Sequence, residues 1–273
     1  MVTHMKESQE ISYRKFRKLF KLFYDTFIDV SIQNPQNVPE DGPFIVVANH
    51  RSDIDPFLLI SNIKRPINWL GASYLWNIPL AGLFFDSIGA IPISKYQSEI
   101  RMGFDAAVEA LEDGQGVGIF PEGWDYIAEN QFDWNVGRFQ TGFARIALKA
   151  NSPVVPVAMM GLDEIRMRQP FPPFLRKLFD YPFEMQYIKD RCVYKKVHIN
   201  VGKPIPCPEN ADIDNHKDLR EFADLVHDSV VDLYNAIPKE FGNIEPHTAV
   251  VPEPEPDEDD NSTDNPDEEI NAE

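Results

Sequence analysis

Short apolar runs alternate with helix-like segments along the middle of the chain, and this alternation restricts it to few folds. Runs of roughly four to eight residues rich in Val and Ile are typical of buried strands. Strands that alternate with helices predict an α/β fold, here with a mainly parallel or mixed sheet flanked by helices. Pro92 in the third run indicates an edge strand or a strand end. The predicted strands are residues 44–48, 67–72, 89–94, 116–120, 154–160 and 197–201.

The chain divides into three predicted parts. Residues 1–33 form a basic, aromatic, membrane-associating N-terminal helix, residues 34–242 the main domain, and residues 243–273 an acidic tail. The tail carries 12 of the 44 acidic residues and no Lys or Arg, and its composition predicts disorder. The remainder has 32 acidic and 26 basic residues, so the net charge of −18 says little about partners of the folded part. The predicted helices are residues 12–30, 53–62, 74–86, 99–112, 139–150 and 219–237.

Two segments are open to more than one interpretation. The first predicted helix carries aromatic residues at spacings of three and four among many cations, as in helices that lie in a membrane interface. Its aromatic face could instead pack on the protein's own core, although the cations in its first half favour the membrane. The Pro-rich residues 166–183 are either a lipid-facing or substrate-covering loop, or a surface loop folded over the core. The aromatic residues at these spacings are Tyr13, Phe16, Phe20, Phe23 and Phe27.

Residues 43–56 place a histidine and a carboxylate at the end of a predicted buried strand. In open α/β sheets, ligands bind at the carboxyl ends of the strands. His50 and Asp55 lie on either side of a strand-to-helix turn, where their side chains can meet, and Ser52 or Asp53 can cap the helix that follows. We therefore expect His50 to act as a general base and Asp55 as the acid that orients it.

Spacing alone does not single out this pair. His227 and Asp232 have the same separation, but they lie in a predicted helix, where five residues correspond to a rotation of about 140°. Those two side chains cannot easily meet. The position of His50 directly after a strand therefore carries the prediction.

No protein nucleophile accompanies His50 in the sequence. The chain has no G-x-S-x-G motif and no cysteine placed after a strand, so we expect His50 to activate a substrate hydroxyl. No second His lies near it, and a zinc site needs three or four ligands, so no metal is expected. The only cysteines, Cys192 and Cys207, indicate a reducing compartment. No signal-peptide pattern and no apolar run of about 18 residues occurs, so neither secretion nor a membrane-spanning helix is expected.

Four short blocks, in order, resemble those of the glycerophospholipid acyltransferase family, of the 1-acylglycerol-3-phosphate acyltransferase type. Residues 49–56 are similar to its NH-x4-DP block, and residues 89–95 to its G-x-x-F-I-x-R block. Residues 120–123 match F-P-E-G, and residues 154–157 match a V-P-V-type block. Each block is short, but their order and spacing make the set specific.

The resemblance implies transfer of a fatty acyl chain from acyl-CoA or acyl-carrier protein to a lipid hydroxyl in glycerolipid synthesis or remodelling. A lysophospholipid such as 1-acylglycerol-3-phosphate is the expected acceptor, and no cofactor and no covalent acyl-enzyme are needed. His50 would take the proton of the acceptor hydroxyl while Asp55 orients it. The expected partners are a membrane bilayer, the acyl donor and the lipid acceptor, and no nucleic acid is expected. The protein would bind the cytoplasmic face of the bilayer peripherally or monotopically. The implied substrate-binding residues are Lys95, Phe120, Pro121, Glu122, Gly123 and Arg138.

Two departures from the family pattern bear on the acceptor. Lys95 stands where the family has an arginine, and lysine lacks the bidentate fork that suits phosphate. After F-P-E-G the family continues with a threonine and an arginine, whereas this chain has Trp124 and Asp125, whose acid would repel a phosphate. Either Arg138 supplies the missing cation or the acceptor is a different lipid alcohol, for example a neutral one. A functional alternative outside the enzymes is a non-catalytic membrane-surface protein. The intact pair of base and acid counts against this alternative.

Overall fold

A single mixed sheet organises the protein. The computed structural model describes residues 5–94, 97–123, 136–181 and 183–238, and within these ranges the strands form one seven-stranded sheet. The strands are β1 (Asp29–Gln33), β2 (Phe44–Ala48), β3 (Ile67–Ala72), β4 (Ile91–Ile93), β5 (Gly116–Ile119), β6 (Val154–Arg168) and β7 (Asp190–Val201). Their order is β1-β7-β6-β2-β5-β3-β4, and all neighbours pair parallel except β6 and β7, which pair antiparallel. The predicted α/β class and the edge position of the strand containing Pro92 are confirmed.

Helices cover both faces of the sheet. No helix of the described residues is both long and apolar enough to cross a bilayer. Short 3-10 helices lie at Pro35–Asn37 and Ser73–Asn77. The α-helices are α1 (Glu7–Phe27), α2 (Asp55–Asn62), α3 (Ala81–Ser87), α4 (Gln97–Glu112), α5 (Gly142–Ala150), α6 (Pro173–Leu178), α7 (Phe183–Gln186) and α8 (His216–Asn235).

The central strand β2 is buried on both faces, which explains its continuous apolar run. Ile45 and Val47 belong to a core cluster with residues of α4, α5 and α8. The alternating residues Phe44, Val46 and Ala48 belong to a second cluster with residues of α1 and α2. The strand therefore ends between two packed layers, and the polar residues that follow it emerge at a rigid edge of the sheet.

The N-terminal segment differs from the predicted helix over residues 12–30. The helix α1 begins at Glu7 and ends at Phe27, and Asp29–Gln33 forms β1, which pairs parallel with β7. This strand was missed because it is short, half-buried and at the sheet edge, and its partner lies more than 160 residues away in sequence. Part of the segment assigned to the N-terminal helix therefore belongs to the sheet.

The aromatic face of α1 divides between the core and the surface. Tyr13 is fully buried, and the rings of Phe16 and Phe20 lie 5.0 and 5.8 Å from the ring of Phe84 on α3. Phe23 and Phe27, further along the same helix, are exposed. The first half of the helix therefore packs on the core, and the second half presents apolar side chains to the surroundings. Contact of this second half with a membrane stays a prediction.

The strands β6 and β7 form a hairpin much longer than the predicted segments 154–160 and 197–201. Ala48, the last residue of β2, pairs with Val157, and β6 continues from there to Arg168. The pairing of β6 with β7 shifts register around Asp163, which marks a bulge. Residues 169–189 join the two strands and contain α6 and α7, and we call their described part, residues 169–181 and 183–189, the cap.

Candidate active site

The chain leaves β2 at a point held by Asn49. The Asn49 amide donates from Nδ2 to the carbonyl of Met159 at 2.9 Å, and its Oδ1 accepts from the amide of Met159 at 2.8 Å. These bonds continue the pairing of β2 with β6 by one residue beyond the strand. The following residue, His50, is therefore placed by the sheet and not by a mobile loop.

One buried carboxylate oxygen organises the turn that carries His50. Asp55 Oδ2 accepts hydrogen bonds from His50 Nδ1 at 2.8 Å, from the amide of Arg51 at 2.7 Å and from the amide of Ser52 at 2.8 Å. Asp55 is fully buried and is the first residue of α2. The structure thus brings together the two side chains that the sequence singled out, and a bond to Nδ1 leaves Nε2 as the basic nitrogen.

The predicted helix cap at Ser52 or Asp53 is wrong. The Ser52 hydroxyl donates to the carbonyl of Cys192 on β7, and neither side chain caps α2 in the described structure. Asp53 is half-exposed, with its carboxylate 4.0 Å from Arg191. Ser52 therefore ties the turn to the long hairpin, because the partner for its hydroxyl comes from another strand.

The imidazole of His50 lies on an aromatic stack. Its ring is 4.2 Å from the ring of Phe120, which in turn lies 5.2 Å from the ring of Trp69. Gly118 makes room for this stack, since a Cβ at that position would lie 2.5 Å from the Trp69 ring. Burial lowers the pKa of His50, but the hydrogen bond and charge of Asp55, with the charges of Asp53 and Glu122, outweigh it and raise the pKa above its ordinary value.

Glu122 connects the histidine turn to the residues that precede α5. One carboxylate oxygen accepts from the amide of His50 at 2.6 Å and the other from the amide of Gly137 at 2.6 Å. Burial raises the pKa of Glu122 to about 8, although both amide donors and the charge of His50 lower it. Both oxygens of this side chain are therefore used to hold main chain on either side of the site.

The other predicted binding residues are spread around this edge. The carbonyl of Pro121 accepts from the amide of Gln140 at 2.9 Å, and Gly123 has a left-handed φ of 79°. Arg138 is exposed and directly follows Gly137, the partner of Glu122. The substrate-binding roles of these residues remain predictions. Lys95, Trp124 and Asp125 lie outside the described residues.

A buried ion pair beside the turn was missed by sequence reasoning. Arg51 Nη2 donates to Glu164 Oε2 at 3.2 Å, and Arg51 Nη1 lies 3.2 Å from Glu164 Oε1. Burial lowers the pKa of Arg51, but the charge of Glu164, together with smaller effects of Tyr194, Tyr234 and Cys192, outweighs it and holds the pKa above its ordinary value. The two residues are 113 positions apart, and no local pattern marks either of them. Together they fasten the His50 turn to β6, next to its bulge.

The second His–Asp pair behaves as expected for one inside a helix. His227 on α8 is buried, with its Nδ1 3.3 Å from Asp228 and its ring 5.0 Å from the ring of Phe139. Its nearest carboxylate is therefore the adjacent residue and not Asp232.

A family model described as Acyltransferase matches residues 29–160, which include β1 to β5, the start of β6, the His50–Asp55 turn and Glu122. Residues 29–160 of this chain are thus similar to the acyltransferase family. The match begins at the first residue of β1, so the family region starts with the strand that sequence reasoning assigned to a helix.

Relatives of this chain are named as acyltransferases. It is 28% identical over 141 residues to a chloroplastic 1-acyl-sn-glycerol-3-phosphate acyltransferase of Brassica napus. The aligned region covers 51% of this chain and 39% of the relative. It is 27% identical over 158 residues to a probable 1-acyl-sn-glycerol-3-phosphate acyltransferase of Mycoplasma pneumoniae, covering 56% and 57%. The chain thus spans about half the length of these curated relatives.

The fold is shared with a solved structure. The 1-acyl-sn-glycerophosphate acyltransferase PlsC of Thermotoga maritima superposes with a TM-score of 0.57 over 81% of this chain and 79% of that one, at 21% identity. At 21% identity, this similarity shows a shared fold and nothing further.

Proposed function

We propose that this protein transfers a fatty acyl chain from an acyl thioester to the hydroxyl of a lysophospholipid, with 1-acylglycerol-3-phosphate as the first candidate acceptor. The observation that carries the proposal is the bond between Asp55 and Nδ1 of His50 at the carboxyl edge of the sheet. The names of the relatives support the same reaction and acceptor.

The proposed chemistry needs one base and no protein nucleophile. With Nδ1 held by Asp55, Nε2 of His50 takes the proton of the acceptor hydroxyl while that oxygen attacks the thioester carbonyl. The C–S bond then breaks, the ester carbonyl reforms, and the leaving thiolate takes the proton from the imidazolium. Because the pKa of His50 is raised, the base is stronger than a free imidazole, and a greater part of it is protonated at neutral pH.

The surrounding residues would position the base and the acceptor. Phe120 supports the imidazole and Glu122 fixes its main chain, so both act through His50. We assign Pro121 and Gly123 to the wall of the acceptor site, because they flank Glu122. Lys95 and Arg138 are the proposed cations for an acceptor phosphate.

We also propose peripheral or monotopic attachment to a membrane through the second half of α1. Leu22, Phe23 and Phe27 are exposed there, and Leu83 on the adjacent α3 is exposed as well. An apolar helix face beside cations suits a bilayer interface. The two cysteines are free thiols, which is compatible with the cytoplasmic face.

An acceptor panel tests the reaction. Purified full-length protein and labelled acyl-CoA or acyl-carrier protein would be offered lysophosphatidate, other lysophospholipids, glycerol 3-phosphate and diacylglycerol. We expect ester formation with lysophosphatidate, lowered about 10²–10⁴-fold in His50→Ala, whose circular dichroism should match the parent. Transfer only to a neutral alcohol would replace the acceptor, and no transfer to any acceptor would favour the non-catalytic alternative.

A further inference from the structure

The hairpin carries the cap to the same edge of the sheet as His50. The strand β6 runs parallel to β2 and continues past the end of β2 to Arg168. The cap contacts the segment that follows β3: the rings of Tyr74 and Tyr181 lie 4.4 Å apart, and the Asn77 amide donates to the carbonyl of Phe179 at 3.3 Å. The cap is therefore held next to the active-site edge by defined contacts.

The inner side of the cap is packed, which determines the side that faces outward. The Arg176 side chain is buried, with Nη1 donating to the carbonyl of Ile188 at 2.6 Å. The rings of Phe171 and Phe179 meet edge to face at 5.4 Å. The exposure of the opposite side is thus a property of a folded element.

The outer side of the cap carries large apolar side chains. Phe174 and Leu178, one turn apart on α6, are 71% and 73% exposed. Phe183 at the start of α7 is 69% exposed, and its ring lies 5.4 Å from that of Tyr187, which is 59% exposed. The helices α6 and α7 contact each other. A cluster of large apolar side chains, unlike scattered single ones, marks a contact surface.

The charge in and around the cap indicates which kind of partner this surface would contact. The cap together with the strand ends at its base, residues 165–191, contains six Lys or Arg and three Asp or Glu, in a chain whose net charge is −18. Lys177 lies on α6 three residues after Phe174, and Arg168 and Lys189 are exposed at the base of the cap. Apolar side chains among cations suit an anionic bilayer surface. A symmetric contact between two caps would instead bring like charges together.

The exposed end of α1 lies at the same edge. The helix starts beside Gln115, just before β5, where the amide of Met5 donates to the Gln115 side chain. It ends two residues before Asp29, the first residue of β1. Asp29 pairs with Lys196 of β7, and Lys196 pairs with Asp163 of β6, which lies beyond the end of β2. Two apolar surfaces on one edge fit a flat and extended partner better than a compact protein.

We propose that the cap is a second membrane-contacting element, which places Phe174, Leu178 and Phe183 in the interface of an anionic bilayer. With the end of α1, it would hold the active-site edge against the surface that supplies the lipid acceptor. The role in acceptor supply rests on the proposed function, whereas the membrane contact itself does not.

Vesicle binding of the full-length protein tests the proposal. We expect Phe174→Ser combined with Leu178→Ser to lower partition onto phosphatidylcholine–phosphatidylglycerol vesicles by about tenfold or more, because two large apolar side chains leave the interface. Lys177→Glu should weaken binding to these vesicles but not to pure phosphatidylcholine. The matched control is Leu225→Ser on α8, also an exposed leucine at 53%, which should bind as the parent does. Phe174→Leu should retain binding, which separates interface contact from a folding defect.

The proposal and the proposed function can fail separately. His50→Ala should lose acyl transfer and keep full vesicle partition, and the cap variants should keep turnover of a short-chain, monomeric acceptor. Unchanged partition of the folded double variant would overturn the membrane assignment. Loss of self-association instead would assign the cap to a second copy of the chain, and loss of turnover only with acyl-carrier protein would assign it to that acidic donor.

Discussion

Replacing Asp55 with asparagine separates the charge of this side chain from its role in the turn. Asparagine has nearly the same shape, and its oxygen can occupy the position of Oδ2, where it can accept from the amides of Arg51 and Ser52. The bond to Nδ1 of His50 can also persist in neutral form. The imidazolium that forms during the reaction, however, loses the adjacent negative charge.

The expected loss follows from the strength of that one interaction. A hydrogen bond to a charged group contributes about 1.5–3 kcal/mol, so losing the charge should lower kcat by roughly 10- to 150-fold. The loss becomes larger, toward 10⁴-fold, if the amide rotates and selects the other tautomer of His50. Full burial of Asp55 supports the upper part of the range, because solvent screens the interaction little there.

The pH dependence gives a second and independent readout. The base acts when unprotonated, so kcat/KM falls as the pH drops through the pKa of His50, which is raised above its ordinary value. Without the charge of Asp55 that pKa falls, so the acid limb of Asp55→Asn should move to lower pH while its plateau drops. Asp53→Asn is the matched control: its charge also raises the pKa of His50, so it should move the limb in the same direction with little loss of kcat.

One result would refute this reasoning. If Asp55→Asn were folded and slower but its acid limb stayed in place, Asp55 would act only by holding the turn. Urea denaturation at the assay temperature establishes whether the variant is folded. A variant with unchanged kcat would remove Asp55 from the proposed mechanism altogether.

The remaining predictions concern stability and the tail. Glu164→Gln breaks a buried ion pair and should lower the free energy of unfolding by roughly 3–5 kcal/mol in urea, whereas Glu221→Gln on α8, whose ion pair is exposed, should change it little; equal effects would contradict the burial argument. Burial raises the pKa of Glu122, so the folded state binds this proton more tightly than the unfolded chain does. The free energy of unfolding should therefore fall as the pH rises from about 5 toward 8, and Glu122→Gln should reduce that dependence in denaturation curves. Deleting residues 243–273 should leave turnover in vitro unchanged, and a dead truncated enzyme would show that the tail is structural.

The sequence by itself determined the fold class and the His50–Asp55 pair. Each central strand, such as β2, is buried on both faces and so carries its own continuous apolar run, which identifies it without knowledge of its neighbours. His50 and Asp55 lie on one turn directly after such a strand. Their meeting therefore depends on local geometry, and the helical context of His227 excluded the competing pair for the same local reason.

Only the tertiary structure decided how the site is held and what surrounds it. The edge strand β1 is half-buried and pairs with β7 across most of the chain, so its apolar pattern is weak. Arg51 and Glu164 meet across 113 residues, and Glu122 takes its two donors from 72 and 15 residues away. The division of α1 into a packed half and an exposed half depends on where α3 lies. Local patterns record the burial of a segment, whereas these contacts depend on which distant segment packs against it.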